Sequence, residues 1–239
     1  MKIKNAIALV TGSNRGIGKA LVEALIAAGA GKIYATARDI TTLNFDGGHT
    51  EIVPLKLDIS DHNNIQEIAN QANDVTVLFN SAGVLDFGAI LDVPVDLIKR
   101  NFDTNFFGTL AVSKSFTPVI EDNGGGAIVN TLTLLSLASM PGFAAYNASK
   151  AAAWSMTLSL RASLADRNID VHGVFPGAVD TDMLDGIEIP KTSPADVARA
   201  IIQGVTEGRE DIFPDPMSVE VYGTWSKDHK AVEKQFAQM

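Results

Sequence analysis

Tyr146 and Lys150 stand four residues apart in Tyr146-Asn147-Ala148-Ser149-Lys150, a spacing that sets a phenol and an ammonium on one face of a helix. A phenol titrates at about 10 in water and is a weak base at neutral pH, but a fixed cation beside it favours the phenolate. Such a pair can pass a proton to or from a carbonyl or hydroxyl oxygen while hydride moves at the attached carbon. Taken alone, a tyrosine and a solvated lysine are ordinary on any helix, so the pair gains meaning from what accompanies it.

What accompanies it is Thr11-Gly12-Ser13-Asn14-Arg15-Gly16-Ile17-Gly18, between the apolar run Ala6 to Val10 and a segment of helical period over 16 to 29, where Ile17, Leu21, Leu25 and Ile26 share a face. Three glycines there permit a tight turn and close backbone approach to a pyrophosphate. The helix start supplies unpaired N–H groups and the positive end of a dipole. Turn chemistry alone could explain three glycines; their place between a buried strand and a helix points to a dinucleotide. The gap of three residues between the first two glycines departs from the common G-x-G-x-x-G fingerprint. At the end of the second apolar run, Ala35-Thr36-Ala37-Arg38-Asp39 puts Ala37 where a ribose-binding acid would mark NAD, and Arg38 follows. Arg38, with Arg15 on the same side, offers a charge-assisted fork for a 2′-phosphate, so NADPH/NADP+ is expected over NADH, although both arginines could face solvent and Asp39 is a contrary charge.

The elements that must carry these residues follow from the apolar pattern. Strands are expected at Ala6–Val10, Lys32–Ala37, Ile52–Leu57, Val75–Phe79, Ala127–Asn130, Ile169–Phe175 and near Ile212, alternating with helical segments. Ser60 or Asp61 can cap the helix carrying Ile65 and Ile68; 93 to 120 reads as a long helical region, and Ala145 to Asp166 as another. Ser193-Pro194 announces a helix over Ala195–Thr206, and an amphipathic segment closes the chain. Alternation of this kind predicts a doubly wound, mostly parallel α/β sheet of about seven strands with helices on both faces, and ligands at the carboxyl ends of the strands. No repeat or linker-like shift interrupts the 239 residues, so one domain over 1–239 is expected.

Composition narrows the possibilities further. Without cysteine, thiolate catalysis, disulfides and cysteine-held metals are excluded, and His49, His62, His172 and His229 lack metal-like spacing. The balance of 19 Lys+Arg against 28 Asp+Glu, −9 overall, is the wrong sign for a general nucleic-acid binder. No apolar stretch approaches a membrane span and no secretory signal is evident, so a cytoplasmic protein without nucleic-acid or membrane partners is expected.

The residues quoted so far resemble the cofactor and catalytic motifs of the short-chain dehydrogenase/reductase family. Asn80-Ser81-Ala82-Gly83 is similar to the family's N-N-A-G with Ser in the second place, Asn105 in Asn105-Phe106-Phe107-Gly108 to its helix asparagine, Tyr146–Lys150 to Y-x-A-S-K, and Pro176-Gly177-Ala178-Val179-Asp180-Thr181 to P-G-x-V-x-T. Five motifs in family order over most of the chain imply a Rossmann-type oxidoreductase. The resemblance implies that Lys150 holds the nicotinamide ribose and that the Asn105 main chain anchors a water of the proton relay. It also implies that Asp58, beside Ile59, contacts the adenine, and that the two long helical regions pair subunits into a homodimer or homotetramer. An asparagine inside a helix competes with the backbone, so Asn105 marks a plausible local distortion or a plain surface position. Asp58 could instead start the next helix.

The resemblance also implies a third catalytic hydroxyl three residues beyond Asn130 and thirteen before Tyr146, and both counts land on Thr133; Ser136, the nearest serine, is the other candidate. Leu134, Leu135, Leu137, Met140, Phe143, Met183 and Leu184 would line an apolar pocket beside the tyrosine, or simply cover the core. The expected activity is NADPH-dependent, reversible reduction of a modest apolar ketone or aldehyde to its alcohol. The rival readings are an NADP(H)-binding regulatory or structural protein without turnover, and a dehalogenase-like lyase, which would be expected to lose the nicotinamide loop and the lysine. Both are kept here.

Overall fold

Seven short apolar runs become strands, and the segments between them become helices, in the computed structural model, which describes residues 1–239. In chain order the elements are β1 (Ile7–Val10), α1 (Gly16–Ala27), β2 (Lys32–Ala37), β3 (Glu51–Lys56), α2 (His62–Gln71), β4 (Val77–Asn80), α3 (Val95–Phe102) and α4 (Thr109–Asp122). There follow β5 (Gly126–Thr131), α5 (Ala144–Leu164), β6 (Ile169–Val174), α6 (Pro194–Thr206), β7 (Asp211–Ile212), α7 (Pro216–Trp225) and α8 (His229–Phe236). The strands form one parallel sheet in the order β3-β2-β1-β4-β5-β6-β7. Pro54, which cannot donate to a ladder, sits on the edge strand β3, where only one neighbour is needed.

Strand periodicity sorts the core into two layers. Ala8, Val10, Ile33, Ala35, Val77 and Phe79 point to the face covered by α1 and α6, while Leu9, Tyr34 and Leu78 point to the face that Ile65, Phe116 and Leu164 cover from α2, α4 and α5. Burial on both faces is why these strands read as continuous apolar runs. Asp61, not Ser60, caps α2, accepting from the Asn63 and Asn64 amides, while Ser193 caps α6 by accepting from Asp196 N. No helix is long and apolar enough to cross a membrane.

Two expectations need correction. The helical region over 93 to 120 is broken by a π turn at Asp103–Gly108, which separates α3 from α4. The terminal amphipathic segment is two helices, α7 and α8, packed together through Val221, Val232 and Phe236 with Leu134. Strand order reverses between β1 and β4, so the loops leaving these neighbours diverge and open a crevice at their carboxyl ends.

Candidate active site

The floor of that crevice is stitched together by Thr11, whose Oγ1 accepts from the Ser81 and Ala82 amides across the switch point. The glycine turn packs tightly against it. Gly12 has φ +69, and a Cβ there would lie 2.9 Å from the Ala82 Cα; a Cβ on Gly18 would lie 2.1 Å from the Gly12 carbonyl oxygen. Side chains at either position would push the turn apart. Helix α1 begins with no side-chain cap on its amides and no acidic residue in its first turn, leaving its N-terminal N–H groups and dipole for an anion.

From this turn a cavity of about 720 Å³ runs past Tyr146. Its lining includes Gly12, Asn14, Arg15, Gly16, Ile17, Gly18, Arg38, Asp58, Ile59, Ala82, Gly83, Thr133, Tyr146, Lys150, Pro176, Gly177, Val179 and Thr181, bringing most of the sequence-derived residues together. Ser13, Asn80, Asn105 and Ser136 do not reach it. Ser13 is turned into the sheet, its Oγ donating to Val10 O and accepting from Thr36 N. Asn80 donates to Ser113 Oγ and Asn130 Oδ1, bonding β4 to its neighbours.

Asn105 lies within the π turn and is fully enclosed. Its side chain accepts from Val84 N at 2.9 Å, and donates to Val84 O and to Ser149 Oγ, both at 2.9 Å. Its amide thereby ties the loop after β4 to helix α5, one residue before Lys150. The helix is distorted at this asparagine, and the wider turn also brings Thr104 to the cavity wall.

Thr133 and Ser136 are separated by a single short turn but differ in surroundings. Thr133 caps the 3₁₀ turn Leu134–Ser136, its Oγ1 accepting from the Leu135 amide, and lines the cavity together with Tyr146. Ser136 is buried on the far side, and its hydroxyl has no hydrogen-bond partner. A 3₁₀ turn rotates residues three apart onto the same azimuth but the cap residue stands outside it, so only Thr133 faces the cavity. Leu137 likewise packs into the core with Phe213 rather than lining the cavity, unlike Leu134, Leu135, Met140, Phe143, Met183 and Leu184.

Lys150 donates to the last carbonyl of β5, Thr131 O, at 2.7 Å, and its Nζ lies 5.8 Å from the centroid of the Tyr146 ring. Burial pushes its pKa down to about 8. Burial also pushes the Tyr146 phenol up to about 12, against a smaller opposing influence of the Thr133 side chain. The expectation of a phenol lowered by the lysine is therefore corrected: withdrawal from water raises it instead.

At the opposite end, Arg38 is exposed on the cavity wall and makes no hydrogen bond or ion pair within the chain, whereas Arg15 reaches Asp182 at 3.4 Å. The contrary charge at Asp39 is occupied by Thr41, whose amide and hydroxyl hold its pKa down. Asp58 is held down chiefly by the Ser60 hydroxyl and amide and least by Arg38, and it forms a turn rather than starting α2. The uncapped turn, the steric cradle of Gly12 and Gly18, and an unpaired arginine at the deciding strand end fit a phosphorylated dinucleotide.

Sequence reading missed Asp215. This buried carboxylate accepts from Gly177 N and from Ser218 N, both at 2.8 Å, joining the loop after β6 to the start of α7. Asp215-Pro216-Met217-Ser218 carries a visible helix-start signal, but nothing local signals the contact with Gly177, which lies 38 residues earlier. Met217, Phe236 and Met239 also line the cavity.

Comparisons with known proteins agree with this architecture. The chain is 33% identical to a short chain dehydrogenase from Burkholderia cenocepacia J2315 solved in complex with NADP, with a TM-score of 0.93 over 99% of both chains. At 23% identity it shares the fold of a short chain dehydrogenase/reductase from Burkholderia phymatum in complex with NAD, with a TM-score of 0.84 over 98% of this chain and 96% of that one. An uncharacterized oxidoreductase of Bacillus subtilis (strain 168) is 30% identical over 195 residues, 77% of this chain and 70% of the relative. Residues 6–191, from the first strand to the loop before α6, match the model of the short chain dehydrogenase family, and the chain belongs to that family of oxidoreductases.

Proposed function

We propose that residues 1–239 form a single NADP(H)-binding domain that interconverts a neutral apolar ketone or aldehyde and its alcohol. The observation that carries this reading is Tyr146, one helical turn from Lys150, lining with Thr133 the same cavity as the uncapped glycine turn. Nicotinamide bound there supplies or accepts the hydride. Gly12 to Gly18 would hold the pyrophosphate, Arg38 a 2′-phosphate, Asp58 and Ile59 the adenine end, and Gly83, Pro176, Gly177, Val179 and Thr181 the nicotinamide end. Thr133 would orient the substrate oxygen, and Tyr146 would give it a proton as charge develops there. The Lys150 ammonium, fixed by Thr131 O, would bind the ribose and stabilise the phenolate left behind.

The assay is loss of NADPH absorbance with a panel of neutral ketones and aldehydes. Turnover should vanish in Tyr146→Phe while NADPH binding persists. Cofactor binding without turnover of any carbonyl would instead favour a regulatory role. Exposed Phe107 and Leu158, on the two long helical regions, support a homodimer or homotetramer, which light scattering would read directly.

A further inference from the structure

Four of the six methionines in the sequence line the cavity: Met140, Met183, Met217 and Met239. They come from four separate segments, the loop before α5, the short turn after β6, the first turn of α7 and the residues after α8, so no single periodicity explains their convergence. Core filling accounts for Met217, which packs against the cluster of Leu134, Val221, Val232 and Phe236, but not for the rim methionines. The remaining two methionines pack inside or against the core, with Met156 only 7% exposed, whereas Met183 and Met239 leave 36% and 65% of their surface open at the rim. Phe143 and Phe236 complete this part of the wall.

The segments bearing the methionines bring no unpaired charge to the lining. Asp182, beside Met183, is paired with Arg15, and the unpaired Arg38 belongs to the strand end expected to hold the cofactor. A thioether is flexible and polarisable, and its sulfur makes favourable contacts with the edge of an aromatic ring that a saturated ring cannot return.

We propose that these methionines form an adaptable wall selecting neutral aryl ketones and aldehydes over saturated ones of the same size and over carboxylate-bearing ones. The proposal rests on the oxidoreductase reading above and names the substrate class of that site. Because a saturated ring is no less apolar than an aromatic one, simple exclusion of water would give no preference for the aryl compound.

The test is calorimetric binding to protein saturated with NADP+, which prevents turnover, using acetophenone, cyclohexyl methyl ketone and 4-acetylbenzoate. Acetophenone should bind about tenfold more tightly than cyclohexyl methyl ketone, a difference the size of two sulfur–aromatic contacts, and at least about tenfold more tightly than 4-acetylbenzoate, whose carboxylate would lose water against an apolar wall. In Met183→Leu/Met217→Leu, and in Met239→Leu as a milder variant at an exposed position, the advantage over cyclohexyl methyl ketone should shrink while binding of the saturated ketone stays unchanged. Equal binding of the two neutral ketones, tight binding of 4-acetylbenzoate, an undiminished preference in the leucine variants, or no binding of any probe would overturn the proposal. NADPH consumption is scored separately. An aryl preference without turnover would support the wall and overturn the reductase reading, and turnover without the preference would do the reverse.

Discussion

Replacing Asp215 with Asn should loosen the cofactor site from a position that touches no substrate. The carboxylate accepts two amide hydrogen bonds at 2.8 Å, from Gly177 and Ser218, and is 4% exposed. Bonds to a charged acceptor contribute about 1.5–3 kcal/mol each, so removing both would cost about 3–6 kcal/mol, a large share of a typical domain's stability. Asparagine keeps one acceptor and turns its NH₂ against the other amide, so about half that loss, about 1.5–3 kcal/mol, is expected in urea denaturation. Part of the penalty should appear as disorder in the Pro176–Gly177 loop that NADPH must reverse on binding. If about 1.4 kcal/mol is recovered in this way, NADPH affinity falls about tenfold. Ser218→Ala is the control: its hydroxyl bonds only the Asp215 backbone, accepting from N and donating to O, so it should lose about 1 kcal/mol with NADPH binding intact. A loss below about 0.5 kcal/mol for Asp215→Asn, or equal NADPH weakening in both variants, would refute the coupling.

Thr133→Ala should lower carbonyl turnover by about 100-fold or more, the scale of one lost oxygen-binding donor, whereas Ser136→Ala should stay near parental activity and gain about 1 kcal/mol by deleting an unpartnered buried hydroxyl. The reverse ranking would sink the assignment of Thr133. Arg38→Ala should weaken NADPH by about 10- to 100-fold in fluorescence titration and leave NADH nearly unchanged; equal losses would remove the case for a 2′-phosphate site. With Lys150 at about 8 and Tyr146 at about 12, kcat/KM for reduction should be level near neutrality and fall as pH rises through about 8 and the ammonium is lost. Lys150→Arg should remove that limb, and a parental profile flat to pH 9.5 would contradict it. Lys150→Met should abolish turnover yet stabilise the fold at pH 7 by about 2 kcal/mol, the cost of burying the ammonium less one charged hydrogen bond. Since the folded pKa is depressed, this gain is full below pH 8 and disappears by about 10.5, which denaturation at several pH values would check.

Most of the sheet was legible because its strands are buried on both faces: runs such as Ile7–Val10 and Lys32–Ala37 need no partner to be recognised. The glycine turn and the Tyr146–Lys150 spacing were legible because each is a local pattern with one mechanical use. Whatever depended on distant contacts was not. The sequence offered two hydroxyls near one register, and it took the short turn after β5 to face Thr133 toward the phenol and Ser136 away. Ser13 and Asn80 sit inside motifs that touch the cavity, yet their side chains bond the sheet. The direction of the Tyr146 shift was not legible because a lysine four residues away is visible in sequence, whereas the loss of water around both groups is a property of the folded cleft. Asp215 escaped for the same reason.

The pairing of α7 with α8 has an implication for how this molecule could diversify. The match to the family ends at residue 191, while Met217, Phe236 and Met239 lie after it. These helices consolidate in a small cluster of their own, Val221, Val232 and Phe236 against Leu134, separate from the two layers that grip the sheet. Exchanging the part of this hairpin beyond the Asp215–Ser218 cap for another of similar length would therefore recut the shape of the entrance while leaving Tyr146, the glycine turn and both main layers in place. Chemistry and choice of guest reside in parts of the chain that can change at different rates.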